Sequence, residues 1–159
     1  MKKKELVHLL QEHLAEELAS LLQAAQASKE AATHDENKAE DMHDTRAIEA
    51  SYLAGAQAQR ATELQRQLTM YKFMPMREYG LQDVICPGSL VELEHNKTRA
   101  YYFIAPQGGG LITHLDGKAV QVITPNSPMG EALMGKKVGD PIEIEVRDTT
   151  REYKVISHQ

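Results

Sequence analysis

The sequence has little of what a disulfide-bonded, secreted or membrane-spanning protein needs. It contains one cysteine, Cys86, no tryptophan and 5% aromatic residues. A single thiol excludes an intramolecular disulfide and a cysteine-based zinc cluster, and it favours a reducing compartment such as the cytoplasm. No apolar run is long enough to span a bilayer, and Glu5, His8 and Glu12 interrupt the stretch that a signal peptide would need. We therefore expect a cytoplasmic protein with no membrane partner.

A broad basic surface is also missing. The formal net charge is -5 and the sequence pI is about 5.8. Indiscriminate binding of nucleic acid through a basic face is therefore not expected, and a charged partner would have to meet local patches.

Helix-breaking residues are scarce in the first half of the chain. Proline is absent before Pro75, and Gly55 is the sole glycine before Gly80. Apolar residues recur at three- and four-residue steps over about 4–32 and 45–72, which is typical of amphipathic helices. The predicted stripes are Leu6, Leu10, Leu14, Leu18, Leu21 and Ala25, and then Leu53, Gln57, Ala61, Leu64, Leu68 and Tyr71. Two such helices can bury their stripes only against each other or against a partner, and the simpler arrangement is an antiparallel coiled-coil hairpin over residues 1–74.

The segment between the predicted helices is strongly acidic. Within ten positions it contains one lysine and five acids, Asp35, Glu36, Glu40, Asp41 and Asp44. If the second helix extends to Glu36, its spacing to Glu40 and Asp44 places three carboxylates on one face, a geometry that can hold a cation. Acidic residues are also favoured at helix amino ends and on solvated surfaces, and this simpler interpretation stays open.

The second half has a different pattern. Prolines at 75 and 87 and glycines at 80 and 88 indicate a linker over 75–88. Short β-rich runs follow over 90–93, 100–104, 111–112, 120–123, 142–146 and 153–156. Turn signals separate them at 96–97, 108–110, 116–117 and 148, and we interpret 108–110 as a hairpin turn. Residues 89–159 are therefore predicted to form a small, mainly antiparallel sheet.

One short helix is expected to interrupt this sheet. Ser127 can cap its amino end, Pro128 suits the first helical position, and Gly135 can end it in a left-handed conformation. Leu133 and Met134 then supply an apolar face, and Met129 and Met134 are expected to pack against the domain or to border the helix.

The stretch VITPNSPMGEALMGKKVGDPIEIEV, residues 122–146, resembles the carboxy-terminal domain of the bacterial Gre transcription elongation factors. The Ser-Pro pair, the Gly-x-Ala-Leu-x-Gly-Lys core and the Gly-Asp turn carry the resemblance. It implies an α+β fold in which a coiled-coil hairpin precedes an FKBP-like domain of antiparallel sheet and one short helix.

The resemblance also implies a function. Gre factors insert their hairpin into the secondary channel of RNA polymerase, where acids at the tip assist cleavage of backtracked RNA. The factor is not an enzyme alone, because it stimulates the polymerase's intrinsic cleavage. It holds no cofactor by itself and shares Mg²⁺ with the polymerase active site.

By that resemblance, Glu36, Glu40, Asp35 and Asp41 would assist catalysis, and Glu36, Glu40, Asp41 and Asp44 would contact the metal. Lys29, Lys38 and Arg46 lie near the tip and would contact nascent RNA in the elongation complex through its phosphates, although they are equally suited to form ion pairs with the neighbouring acids. Met129 and Leu133 would form an exposed apolar edge that anchors the second domain on the polymerase. The oligomeric state is left open.

The tip departs from the family pattern of Asp, two residues, then Glu-Asn-Ala-Glu-Tyr. Glu36-Asn37 and Ala39-Glu40 fit this pattern, but Lys38 is inserted and Asp41 replaces the tyrosine. Three hypotheses follow: a cleavage-stimulating factor, a channel-binding regulator without cleavage, and an FKBP-like isomerase or chaperone. The third needs a concave aromatic pocket, for which the sequence offers few aromatic residues.

Overall fold

A computed structural model describes residues 2–35, 45–146 and 149–159, with side chains described for all of these except 31–35, 45–51 and 146. Its elements are α1 (Lys3–Asp35), α2 (Thr45–Phe73), β1 (Leu90–His95), β2 (Thr98–Ile104), β3 (Ile112–Leu115), β4 (Lys118–Ile123), α3 (Pro128–Leu133), β5 (Pro141–Val146) and β6 (Thr149–His158). Two long helices thus precede a six-stranded sheet with one short helix. This confirms the predicted α+β order.

The chain divides into two compact units. The first contains Met1–Leu9 and Met74–Gln159, and the second contains Leu10–Phe73. The predicted linker 75–88 therefore falls inside the first unit. Ile85 explains part of this, because its side chain is fully buried and its backbone bonds to both Lys136 (N to O, 2.8 Å) and Gly135 (O to N, 2.9 Å).

The second unit is the helical hairpin. Leu10, Leu14, Leu64 and Tyr71 of the predicted stripes are buried in it. The burial falls toward the end of α1 and toward the start of α2, where Leu53 is 60% exposed. The apolar stripe is therefore confirmed at Leu10, Leu14, Leu64 and Tyr71, and it is weak around Leu53, whose alanine and glutamine neighbours bury little apolar area.

The sheet has the strand order β3-β4-β2-β1-β6-β5. Four of its pairings are antiparallel, β1–β2, β1–β6, β3–β4 and β5–β6, and β2–β4 is parallel. The predicted mainly antiparallel sheet is therefore confirmed, and the parallel pair β2–β4 is its exception. Alternating apolar residues specify the face of a strand that is buried, but they do not specify its neighbour or direction.

The parallel pair also corrects the interpretation of the three glycines. Because β4 lies between β2 and β3, the segment 108–110 is not a hairpin turn but the connection that carries the chain past β4. Its backbone is fixed along that strand, since Gly110 N donates to Val122 O (2.8 Å). Gly108 and Gly110 have φ of 75° and 99°, a region that glycine enters without strain.

Two other predicted turns are confirmed. Asn96 and Lys97 (φ 49° and 64°) connect β1 to β2, and Asp116 and Gly117 (φ 53° and 73°) connect β3 to β4. Two consecutive residues with positive φ are typical of the tight hairpin turns that match strand twist.

Helix α3 begins and ends where the sequence predicts. The Ser127 hydroxyl accepts a hydrogen bond from Gly130 N (3.1 Å), Pro128 is the first helical residue, and Gly135 follows the helix with φ 77°. The helix covers a core formed by Ile85, Val91, Leu93, Ile104, Ile123, Leu133, Ile142, Ile144 and Val155.

Candidate functional site

The acidic residues predicted to act at the tip lie at the edge of the described chain or beyond it. Glu36, Glu40, Asp41 and Asp44 are outside the described residues. Asp35 is the last residue of α1, and its side chain is not described. The catalytic and metal-binding assignments therefore stay predictions.

The described part of the hairpin shows how the two helices are held side by side. Arg60 of α2 donates from Nη2 (2.6 Å) and Nε (3.0 Å) to Glu17 Oε1 of α1. This hydrogen bond is the main reason why the pKa of Arg60 is raised, and the charge of Glu63 adds to it. Both residues lie near the middle of their helices, so this ion pair joins the two helices at their centres.

Between the helices, on the side toward residues 35 and 45, there is a cavity of about 630 Å³. Its lining residues are Leu21, Leu22, Ala25, Ser28, Lys29, Leu53, Ala54, Gln57, Ala58 and Ala61. Small side chains on α2 leave this space unfilled. Lys29, a predicted RNA contact, is exposed at its edge, and Arg46 is the second residue of α2 with its side chain not described. Their contacts with RNA stay predictions.

The predicted apolar anchor on α3 is partly wrong. Leu133 is fully buried in the core, so it cannot form an exposed edge. Met129 is half-buried and packs against the same core. The two residues are four positions apart and share a helix face, and this face is turned inward. A partner contact through Met129 stays a prediction.

A polar cluster that the sequence pattern did not indicate lies in the first unit. Ser89 Oγ hydrogen-bonds His158 Nε2 (2.8 Å) and accepts from Cys86 N (3.0 Å). The Cys86 thiol donates to the Tyr79 hydroxyl oxygen (3.2 Å), and the Tyr79 ring stacks on the His158 ring with centroids 4.5 Å apart. Tyr79, Cys86 and Ser89 lie within one segment of the chain, whereas His158 is remote in sequence, and only the turn signal around Pro87 pointed to this region.

Burial is the largest cause of the pKa shifts of Tyr79 and His158 in this cluster. It raises the pKa of Tyr79 to about 12, with the Cys86 contact adding to the effect. It also lowers the pKa of His158, and the nearby Lys3 charge acts in the same direction while Asp83 opposes it. The neutral forms are therefore favoured, which suits a structural role in joining the turn before β1 to the end of β6.

Lys3 extends the cluster. Its side chain is 9% exposed, and its ammonium donates to the Arg77 backbone oxygen and lies 4.3 Å from the Tyr79 ring centroid. Burial lowers the pKa of Lys3, although Cys86 and Glu78 act against this. The ammonium is fixed by a carbonyl dipole and an aromatic face, two partners that suit a buried cation.

A second polar network covers part of the sheet. Glu92 accepts hydrogen bonds from Arg99 (3.0 Å), Tyr101 (3.0 Å) and Ser157 (3.1 Å). Burial alone would raise the pKa of Glu92, but these bonds and the Arg99 charge lower it. The carboxylate is thus ionised and well satisfied, which is typical of a structural element that joins β1, β2 and β6.

Two features are absent from the described residues. Within residues 2–35, 45–146 and 149–159, no three or more His, Cys, Asp or Glu side chains are grouped so as to hold a metal ion. In the same ranges, none of the helices combines the length and the hydropathy of a bilayer span.

Comparison with known proteins concerns mainly the first unit. Residues 81–158 match the family described as transcription elongation factor GreA/GreB, carboxy-terminal. Transcription elongation factor GreA of Clostridium perfringens (strain SM101 / Type A) is 56% identical over 34 residues, which are 21% of this chain and 22% of that protein. GreA of Clostridium acetobutylicum is 51% identical over 35 residues, 22% of each chain. The chain thus matches only about a fifth of the length of these curated relatives.

Solved structures cover more of the chain at lower similarity. GreA factor homolog 1 (Gfh1) of Thermus thermophilus is 24% identical, covering 94% of both chains with a TM-score of 0.40. A transcription elongation factor GreA/GreB from Nitrosomonas europaea is 17% identical, covering 62% of this chain and 78% of that one with a TM-score of 0.39.

Proposed function

We propose that this chain is a Gre-like factor that binds RNA polymerase and that its helical hairpin enters the secondary channel, because residues 81–158 match the carboxy-terminal family of GreA/GreB and a short stretch is 56% identical to GreA. The observation that carries the proposal is the combination of this matched domain with a hairpin of two long helices. Neither part alone indicates a channel-entering factor, since helical hairpins serve many purposes.

The dimensions of the hairpin support the proposal. Helix α1 has 33 residues and α2 has 29, which correspond to about 50 Å and about 44 Å at 1.5 Å per residue. The five acids lie in sequence between the end of α1 and the start of α2. Such an arm can carry side chains to a buried site that a globular unit cannot enter.

The residues of the tip would act as ligands and not as a complete active site. Carboxylate oxygens are the donors that Mg²⁺ prefers in proteins, so Glu36 and Glu40, with Asp35, Asp41 and Asp44 nearby in sequence, would help to hold an ion shared with the polymerase. A magnesium ion bound in this way supports water attack on a phosphodiester. Lys29 and Arg46 would contact the phosphates of the backtracked RNA.

A second function is favoured by the composition of the tip. Lys38 interrupts the family pattern and Asp41 replaces its tyrosine. A tip that binds in the channel without promoting cleavage would act as a regulator of transcription. The two functions share a partner and a mode of entry but differ in the outcome at the RNA.

The test is transcript cleavage in backtracked elongation complexes assembled with end-labelled RNA. We expect the full chain to shorten the RNA in the presence of magnesium. Glu36→Ala and Glu40→Ala are each expected to slow this cleavage by about tenfold or more, because each removes a charged ligand from the shared ion.

Glu16→Ala is the matched control, since Glu16 is an exposed acid on the shaft of the same hairpin. It should cleave like the unaltered protein. Binding to polymerase without RNA shortening would support the regulator, and a chain that does not bind polymerase at all would exclude both functions.

A further inference from the structure

Three consecutive lysines, Lys2, Lys3 and Lys4, border a cavity. The cavity has a volume of about 490 Å³, within the usual range of binding pockets. Its lining residues are Lys2, Lys3, Lys4, Met76, Glu78, Tyr79 and Gln159. All of them belong to the first unit, so three separate segments of one compact body form its walls.

Part of the wall is fixed by contacts already described. The buried Lys3 ammonium bonds to the Arg77 carbonyl and covers one face of the Tyr79 ring. The His158 ring covers Tyr79 by stacking, with centroids 4.5 Å apart. The cavity is therefore supported by rigid neighbours, and the Tyr79 ring is already engaged by Lys3 and His158.

The remaining lysines are available to a partner. Lys2 and Lys4 are exposed, and among the residues that the structure describes neither side chain makes a hydrogen bond or an ion pair. The chain as a whole is acidic, so two unpaired ammonium groups beside one cavity are a local feature and not a background property. Met76 adds a half-buried apolar side chain to the same wall.

We propose that this cavity is a docking site for an acidic segment of a partner protein, with carboxylates at Lys2 and Lys4 and an apolar side chain against Met76. Charge complementarity selects the acidic side chains, and exposed lysines accept carboxylates without a fixed geometry. The thioether of Met76 is a flexible apolar surface that adapts to different side chains.

Nucleic acid fits this cavity less well. Single-stranded binding sites offer aromatic faces for base stacking, whereas Tyr79 is engaged by Lys3 and His158. The Glu78 carboxylate on the wall would repel phosphates, which follow one another closely along a strand. A peptide can place its carboxylates at the lysines and keep them away from Glu78.

This inference does not depend on the proposed function, because it concerns neither the tip nor the polymerase channel. The test uses the full chain and a short fluorescein-labelled peptide in which glutamates alternate with leucine and serine. We expect saturable binding by fluorescence anisotropy at low ionic strength, and none with the same peptide carrying glutamine in place of glutamate.

Location is tested by charge reversal. Lys2→Glu combined with Lys4→Glu is expected to weaken peptide binding by about tenfold or more. Lys136→Glu combined with Lys137→Glu changes the net charge equally at two other exposed lysines of the same unit, and it should change binding by less than about twofold. With methionine methyl labelling, the peptide should shift the NMR signal of Met76 and leave that of Met134 unchanged.

Three outcomes would overturn the proposal. If both double substitutions weaken peptide binding equally, the peptide is attracted by the overall charge of the unit and not by this cavity. If polyuridylate RNA displaces the peptide and its binding is weakened by the same Lys2 and Lys4 substitutions, the cavity is a nucleic-acid site. Absence of saturable peptide binding would remove the site altogether.

Discussion

At the scale of single residues, the first unit depends on contacts between positions that are distant in sequence. Ser89 and His158 are both buried and joined by a hydrogen bond of 2.8 Å, and Tyr79 stacks on the histidine. No spacing rule connects these residues. They meet because the start of β1 and the end of β6 are neighbours in the sheet, as the pairing of Val91 with His158 shows.

The buried histidine predicts a pH dependence of stability. The pKa of His158 is lowered from its usual 6.5 by burial, so the unfolded chain binds a proton more readily than the folded chain. The stabilisation is present above about pH 6.5 and is lost as the pH falls through the folded pKa. We expect the free energy of unfolding, measured by urea denaturation, to decrease between about pH 7 and about pH 5.

His158→Gln is the control for that dependence. It removes the titrating ring and should lower stability at neutral pH by about 1 kcal/mol through the Ser89 hydrogen bond. Its further loss on acidification should be smaller than in the unaltered chain. If both proteins lose the same amount, another group is responsible for the pH dependence.

At the scale of elements, local chemistry determined the ends of helices and turns. The cap at Ser127, Pro128 at the start of α3 and the left-handed Gly135 were all predicted and are all present. Each depends on a few adjacent residues. The path of 108–110 and the exposure of Leu133 were predicted wrongly, and the neighbours of β4 were not predicted, because all three depend on which element packs against which.

Two helical glycines give a matched prediction. A Cβ on Gly130 would lie 1.9 Å from the Thr124 backbone oxygen, whereas a Cβ on Gly55 would meet no atom within 4 Å. Gly130→Ala should destabilise the protein by about 2 kcal/mol or more, since backbone must move to admit the methyl group. Gly55→Ala should be neutral or stabilising by up to about 1 kcal/mol, because alanine favours the helix.

Chemical denaturation followed by circular dichroism measures both glycine variants against the unaltered chain. The opposite signs are the diagnostic result, since both substitutions add the same methyl group within a helix. If both variants change the free energy of unfolding equally, Gly130 does not lie as close to the Thr124 backbone as the structure shows.

At the scale of the whole molecule, stability is expected to be uneven. The strands of the first unit carry fully buried residues such as Val91 and Val155. In contrast, α2 around Leu53 lines a cavity of about 630 Å³ and buries little apolar area there. Segments with little buried apolar area open locally more often than the core. We therefore expect the turns of α2 around Leu53, which follow the acidic segment in sequence, to be less stable than the later turns of the same helix.

Hydrogen exchange followed by mass spectrometry tests this directly. Amides in 52–61 are expected to exchange faster than those in 64–71 of the same helix, where Leu64 and Tyr71 are buried. The strands β1 and β6 should be the slowest. Uniform protection along α2 would show that the cavity does not weaken the hairpin.

The sequence by itself determined the two long helices, most of the strand positions, the tight turns, the capped helix and the resemblance to Gre factors. These features arise from periodicity, capping and turn chemistry within short windows, where the chain needs no distant partner. The tertiary structure alone decided the parallel β2–β4 pair, the cluster of Tyr79, Ser89 and His158, and the cavity beside Lys2 and Lys4. These arise from contacts between remote segments, and such contacts depend on how the whole chain packs and not on any one stretch of it.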